Sequence, residues 1–366
     1  SNEEQVAFLP VHRLAALIRD RHISPTELLG IYLDRLKRYD PMLLCAVTIL
    51  DKRAQAEAAQ AEAEIRAGNW RGPLHGIPYG VKDVFSVTGT RTTWGAEEFE
   101  NQVIDEDAEV VRRLHTAGAV LMAKLATGKF AQGDSWYRGR TRNPWNPKEG
   151  SSGSSAGPAS ATAAGCVAFG IGTETQGSIV SPARRCGLSA LRPTFGRVSR
   201  YGGMVLAWSM DKTGPLCRCI EDCALVFNSI HGADEKDPAS LTTPFRFTRR
   251  PDLAAIRIGY TEDAPQAFLD KLRELGATPS PMAKLPHGQS NALSVEGAAA
   301  FDFHIAQNGD ESPLPQGLTE EEQRRYQRFR AGRDVRALDY IQSQRRRLIL
   351  MKQMTELMKE VDMFVT

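Results

Sequence analysis

Several things are scarce in this chain, and each scarcity removes a class of function. Lysine and arginine (46) nearly balance aspartate and glutamate (44), so the formal net charge is only +2. A charge that small gives no field for gripping nucleic acid or an anionic membrane. Apolar runs are broken every few residues, which leaves no stretch of about 20 residues for a membrane span. The first residues, Ser1-Asn2-Glu3-Glu4, are polar and acidic, unlike the apolar core of a signal peptide, and the expected setting is the cytoplasm. Six cysteines in 366 residues are too few for a disulfide scaffold. Cys217, Cys219 and Cys223 lie close together, but their spacing matches no common zinc pattern. They are read as small buried hydrophobes. Gly-x-Gly-x-x-Gly and Gly-x-x-x-x-Gly-Lys-Ser are both absent, which weakens any nucleotide-binding reading.

What is present is a soluble-protein composition, 42% hydrophobic and 25% charged, in a length that suits one large α/β unit. Ser24-Pro25-Thr26-Glu27 carries an N-cap serine, proline at the first helical position and glutamate three after the cap. Leu28, Leu29, Tyr32, Leu33 and Leu36 follow at helical spacing. Residues 51–67 read as a surface helix ending near Gly68-Asn69, so residues 1–70 form an N-terminal helical layer. From about residue 73, short strand-like runs (77–85, 119–121, 167–171) alternate with helical patterns such as 108–117. That alternation predicts α/β architecture: a mixed, mostly parallel twisted sheet with helices on both faces. Residues 132–160 are dense in Gly, Ser, Asn and Pro and are expected to be a long functional loop. A core over 71–235 is followed by a second α/β part over 236–366, within one large domain. There, a strand is expected at 256–260, a lid or cap of loops and short helices at 280–320, helices at 319–360 and a final strand at 361–366. The arginines of the last helices (Arg345, Arg346, Arg347) read as a solvated face, given the near-neutral charge.

The chemistry sits in three short segments. Gly153-Ser154-Ser155-Ala156-Gly157 and Thr175-Gln176-Gly177-Ser178-Ile179 are small-residue turns bearing serines. Gly76-Ile77-Pro78-Tyr79-Gly80-Val81-Lys82-Asp83 ends an apolar run on a lysine. Amide cleavage needs a nucleophile, a proton carrier and an oxyanion stabiliser. The small residues before Ser178 let backbone N–H groups converge on one point. No histidine lies in these turns. Lys82 fills the base role only if burial brings its pKa down from about 10.4 toward neutrality. Taken singly, such a lysine is more often a surface group and a Gly/Ser-rich loop more often flexible, so residue types alone leave the hydrolase reading open.

Together these segments resemble the amidase signature family. The match extends through Gly172-Thr173-Glu174, Pro182-Ala183, Cys186-Gly187, Leu191-Arg192-Pro193-Thr194, Gly196-Arg197-Val198-Ser199, Asp211 and Gly214-Pro215. The resemblance implies a Ser–cisSer–Lys triad, with Ser178 as nucleophile, Ser154 as bridging serine after a cis peptide from Gly153, and Lys82 as base. Ser155 would support the triad by hydrogen bonding. The amides of Thr175, Gln176, Gly177 and Ser178 would form the oxyanion hole, and Phe130-Ala131-Gln132-Gly133 a substrate-side loop. It implies no cofactor and no metal. Three departures from the family pattern stand out, the last of which bears on substrate. Ala156 and Pro158 replace residues usual in the serine turn, and Gln176 stands where a glycine is usual. Val180 stands where relatives that bind glutamine or acidic tails generally carry arginine, which favours a stand-alone bacterial-type amidase with an apolar acyl pocket. Trp94, Phe130, Trp136 and Tyr137 are candidates to line it, although for each of them core packing is the commoner role. The expected substrates are small, largely apolar carboxamides, with esters and carbamates (urethanes) as further acyl-transfer substrates. The alternatives are a glutamine-dependent tRNA amidotransferase A-type subunit and an inactive binding homologue. The partners expected are the amide or carbamate substrate and, at most, a second copy of the chain as a homodimer. Family chains continue past the point of Thr366, so the C-terminal part of the core and pocket is expected to be incomplete.

Overall fold

The structure is a computed structural model that describes residues 2–249, 251–288, 290–302 and 320–366. It separates into two compact units: residues 1–245 with 300–330, and residues 246–299 with 331–366. Among the described residues no helix is long and apolar enough to cross a membrane.

The first unit is built on a six-stranded mixed sheet. Its strands are β1 (Ala46–Ile49), β2 (Pro78–Lys82), β3 (Val120–Leu125), β8 (Phe169–Glu174), β9 (Ser189–Ala190) and β10 (Lys212–Cys217), in the order β1-β3-β2-β8-β10-β9. The three central strands, β3, β2 and β8, run parallel; the flanking pairs are antiparallel. Every residue of β2 and β3 is buried, as expected for parallel strands covered on both faces. Register places Val81 opposite Lys124 and Lys82 opposite Leu125 on one side, and Val81 opposite Ile171 on the other. Tyr79 and Phe169 stack across the β2–β8 pair with ring centroids 5.2 Å apart, which fixes that register with an aromatic cross-strand contact.

Helices cover this sheet for reasons visible in the chain. Ser24 caps Pro25–Leu43 through a complete capping box with Glu27, and Leu28, Leu29, Tyr32, Leu33 and Leu36 are buried along one face. In Asp51–Arg66 the buried positions are Ala54, Ala58, Ala61 and Ile65, a small-residue stripe that lets the helix lie close. Its Glu57 accepts a 2.8 Å hydrogen bond from the Leu121 amide on β3.

The stretch 132–160 is more ordered than its composition suggests. It forms two short hairpins, β4 (Ser135–Trp136) with β5 (Gly139–Arg140) and β6 (Arg142–Asn143) with β7 (Asn146–Gly150), and a buried helix, Ala156–Ala163. The same Gly, Asn and Pro residues that mark loops also make tight hairpin turns. Trp136 is sequestered with Val47 and Ala126 in a small core cluster, so it does not line a pocket.

The second unit carries a three-stranded parallel sheet, β12 (Ser280–Pro281), β11 (Ile258–Tyr260) and β13 (Met363–Val365), in the order β12-β11-β13. Helices Ala292–Ala300 and Ala337–Leu357 are joined in this unit by the Tyr340 hydroxyl, which donates to Glu296 at 2.9 Å. Much of the cap expected over 280–320 falls on residues 303–319, outside the described residues, as do Leu318 and Thr319 of the expected helix start. The α/β class expected from the sequence is what is observed, with parallel pairings at the centre of the large sheet and throughout the small one.

Candidate active site

Lys82 is the last residue of β2, fully buried. Its Nζ donates to Ser154 Oγ at 2.9 Å and to Thr173 Oγ1 at 2.7 Å, with the Thr173 carbonyl at 3.4 Å. Burial drives its pKa down to about 7, against the opposing pull of Asp211 and Glu174. An amine poised there is neutral about half the time at neutral pH, which a general base requires.

The peptide between Gly153 and Ser154 is cis. Gly153 is there for space: a Cβ on it would lie 1.8 Å from the Gly133 carbonyl oxygen. The serine turn therefore rests directly on the segment Phe130-Ala131-Gln132-Gly133. Within that segment Phe130 (φ 51) and Ala131 (φ 58) hold left-handed backbone conformations, which cost non-glycine residues free energy and cluster at functional sites. Phe130 packs against Phe99 and Phe301.

Ser155 joins the serine turn to the strand beside it. Its Oγ donates to the Thr173 carbonyl at 3.0 Å and accepts from the Thr173 amide at 3.2 Å, while its own amide donates to the Ser178 carbonyl at 3.1 Å. Gly172 makes room for this hook, since a Cβ there would lie 2.5 Å from Ser155 Oγ. Ser178 thus reaches the Lys82–Ser154 pair through backbone bonding at Ser155. Its side chain is partly exposed, as is Gly177, and Gln176 and Val180 are exposed.

Two buried carboxylates shape the turn from 175 to 180. Glu174 Oε2 accepts from the amides of Ile179 (2.8 Å) and Val180 (2.9 Å), and Arg192 Nη1 pairs with Oε1 at 3.0 Å. Burial pushes the Glu174 carboxyl up, but the amides of Val180, Ile179 and Gly177 outweigh it and leave the group below its usual range. Asp211 Oδ1 accepts from the Thr175 hydroxyl at 2.5 Å, and its Oδ2 from the Leu206 amide at 2.8 Å. Burial raises the Asp211 carboxyl in spite of those donors. Gly177, at φ +92, occupies backbone space that L-residues avoid. Its amide faces the Glu174 carboxylate, so of the four amides expected to bind an oxyanion it has the least to give.

The residues missed by sequence reading are Thr173, as a partner of Lys82, and Lys124. Lys124 Nζ lies 2.7 Å from Asp83 Oδ1 in a wholly buried ion pair, and it also donates to Thr92 Oγ1 at 2.9 Å. A lysine inside a buried strand was the available signal. His12 was missed too: His12, Cys219 and Asp222 lie together, with potential ligand atoms within 4.8 Å of one another. The Asp222 carboxylate accepts from the amides of Val11 (2.7 Å) and His12 (3.1 Å), so it caps the helix Val11–Arg19 from outside. Burial holds the Cys219 thiol up at about 11.

Residues 27–366 match the family model described as Amidase. The A-type subunit of glutamyl-tRNA(Gln) amidotransferase from Methylococcus capsulatus is 39% identical over 282 residues, covering 72% of this chain and 58% of that protein. The chain thus spans less than two thirds of the length of the curated relatives it matches. The native peptide amidase of Stenotrophomonas maltophilia superposes with a TM-score of 0.79 at 31% identity, over 91% of this chain and 77% of that one. A structure described as a vestigial protein complex bearing on the origins of an s-triazine catabolic enzyme superposes with a TM-score of 0.85 at 27% identity, over 97% and 80%. On the family match across residues 27–366, this chain belongs to the amidase family.

Proposed function

We infer that this protein hydrolyses the C–N bond of small, largely apolar carboxamides through an acyl-enzyme. The observation that carries the reading is the 2.9 Å contact between a fully buried Lys82 and Ser154 on the cis peptide, with Lys82 near pKa 7. When the amine is neutral the contact reverses, and the Ser154 hydroxyl donates to the nitrogen lone pair. Ser154 then takes the proton of Ser178 as Ser178 Oγ attacks the carbonyl carbon. The oxyanion is held by the amides of Thr175, Gln176 and Ser178, with Gly177 contributing least. Collapse breaks the C–N bond, and the proton stored on Lys82 returns through Ser154 to the leaving amine. Water repeats the relay on the acyl-enzyme, releasing the acid and free Ser178. Serine nucleophiles served by lysine are an established variant of the triad arrangement. Esters and carbamates share the acyl intermediate and belong to the same reading.

A second reading is an A-type component of a glutamine-dependent amidotransferase, favoured by the amidotransferase relatives. Val180, 44% exposed beside the turn, offers no charge to a substrate carboxylate and speaks against it.

The test is a panel of p-nitroanilide, simple carboxamide, aryl carbamate and glutamine, given to the purified protein and to Ser178→Ala. Turnover of the neutral amides that vanishes in the variant supports the reading. Turnover of glutamine alone favours the second reading, and equal turnover by both proteins removes Ser178 as nucleophile. Folded protein inactive toward the entire panel points to the inactive binding homologue. The pH profile is a separate check. Since the neutral form of Lys82 is the active one, kcat/KM is expected to rise about tenfold per pH unit below a midpoint near 7 and to level off above it. A flat profile from pH 5.5 to 8 would exclude Lys82 as the base.

A further inference from the structure

Beside Lys82 lies a cleft of about 230 Å³, bounded by Phe85, Thr173, Met204, Val205, Trp208 and Asp211 among others. It adjoins the proposed machinery on two sides. Thr173 bonds Lys82 Nζ, and Asp211 bonds the Thr175 hydroxyl. One wall of it is Phe85, three residues beyond the Lys82 strand. The chain after Lys82 bonds to the segment 202–204, with the Ser86 amide on the Gly202 carbonyl and the Met204 amide on the Val84 carbonyl, both at 2.8 Å. Trp208 sits at the rim, half exposed at 50%, with its carbonyl held by Arg200 Nη1 at 2.6 Å.

The charges around the cleft are already engaged. Arg200 is bidentate on Asp237, with contacts of 3.0 Å. Lys212 donates to the Thr175 carbonyl at 3.0 Å. The Lys236 ammonium lies 4.4 Å from the centre of the Tyr201 ring. What the cleft has left to offer a ligand is hydrocarbon, a thioether, an indole face and one hydroxyl, Thr213 Oγ1, which has no hydrogen-bond partner among the described residues. A cavity of roughly 150 Å³ is enough to admit benzene, so 230 Å³ holds a ring together with a short link to a reacting carbonyl.

We propose that this cleft is a subsite for an uncharged flat aromatic group carried by the amide substrate, with Trp208 as its stacking face. The proposal rests on the site at Lys82, Ser154 and Ser178 being the reacting centre. It makes aryl and arylalkyl carboxamides the preferred class over small aliphatic ones.

The test separates binding from turnover. The full chain carrying Ser178→Ala is titrated by calorimetry with benzamide, cyclohexanecarboxamide and acetamide. Benzamide is expected to bind at least about tenfold more tightly than acetamide, and more tightly than the puckered cyclohexane analogue. Adding Trp208→Ala is expected to weaken benzamide about three- to tenfold, the usual worth of an aromatic pair, and to leave acetamide unchanged. Adding Val205→Trp, which fills the cleft, is expected to do the same. Benzamide binding no tighter than acetamide, or unchanged in both variants, overturns the subsite. Turnover by the protein without these substitutions is scored independently. Hydrolysis with unchanged benzamide affinity in the variants sinks the subsite alone. Aromatic-selective binding without hydrolysis sinks the hydrolase reading and leaves the subsite standing.

Discussion

Exchanging Lys82 for methionine is expected to lower kcat by about four to six orders of magnitude and to leave the protein at least as stable as before. Both effects come from one fact: a lysine is held in a fully buried position at the end of a central strand. If it is the base that works through Ser154, its removal strands the relay. Groups that act as a unit lose nearly everything when one is deleted, so Ser178→Ala with Lys82→Met is expected to be no worse than either change alone. The stability side follows from linkage. The folded pKa is about 7 against an ordinary 10.5, so between those values the unfolded chain binds more protons than the folded one. Stability then rises with pH across that window, and the burial cost is felt in full below pH 7. Methionine has a similar length and no charge to bury. Replacing buried ionisable groups by well-packed apolar ones is often neutral or stabilising by about 1–4 kcal/mol. The loss of partners for Ser154 Oγ and Thr173 Oγ1 offsets part of that gain. Thermal melts of both proteins at pH 6.5 and at pH 9.5 check the point. The variant's advantage should shrink at the higher pH. A variant that melts well below the parent at both pH values would mean that Lys82 is held for structure and not at a cost.

How much of this could be read from the chain depends on how local each signal is. The Ser24–Glu27 capping box lies within four consecutive residues, and the helix it predicts is there as Pro25–Leu43. The apolar run into Lys82 and the small-residue turn at Ser178 are equally local, and both were legible. Lys124 was not. Its strand is expected from the sequence only over 119–121, yet β3 continues to Leu125. What lets it continue is Asp83, distant in sequence and brought alongside only by the parallel β2–β3 pairing. Thr173 and Glu174 were visible as letters of a motif, but their roles depend on which groups the sheet and the Ser178 turn present to them. The hairpins at 135–150 were hidden by a composition that fits loop and hairpin alike. Trp136 was hidden by the ambiguity of every large aromatic, which suits a pocket or a core until its neighbours are known.

The second large effect is expected at that same ion pair. Lys124→Met should destabilise the protein by about 3–5 kcal/mol, because it leaves the Asp83 carboxylate buried without its cation. Both side chains are wholly inaccessible. Burial lowers the Lys124 pKa, and the Asp83 carboxylate opposes that shift. Asp83 keeps only the Thr93 amide, at 2.9 Å, and the Thr93 hydroxyl, at 2.5 Å, to stabilise it. The damage should reach the site as well. Asp83 directly follows Lys82, and its carbonyl accepts from the Trp94 amide, whose own carbonyl accepts from the Phe130 amide. Removing the cation also leaves the Asp83 charge, one residue along from Lys82, unneutralised. A nearby anion favours the ammonium form, so the Lys82 pKa rises and the acid limb of kcat/KM moves to higher pH. The double variant Lys124→Met with Asp83→Leu removes both charges together, and it is expected to recover most of the lost melting temperature and to return the acid limb toward 7. If the single variant melts normally, the pair is dispensable. If the double variant recovers stability but not the pH midpoint, Asp83 positions the loop that carries Trp94 and has no electrostatic part in tuning Lys82.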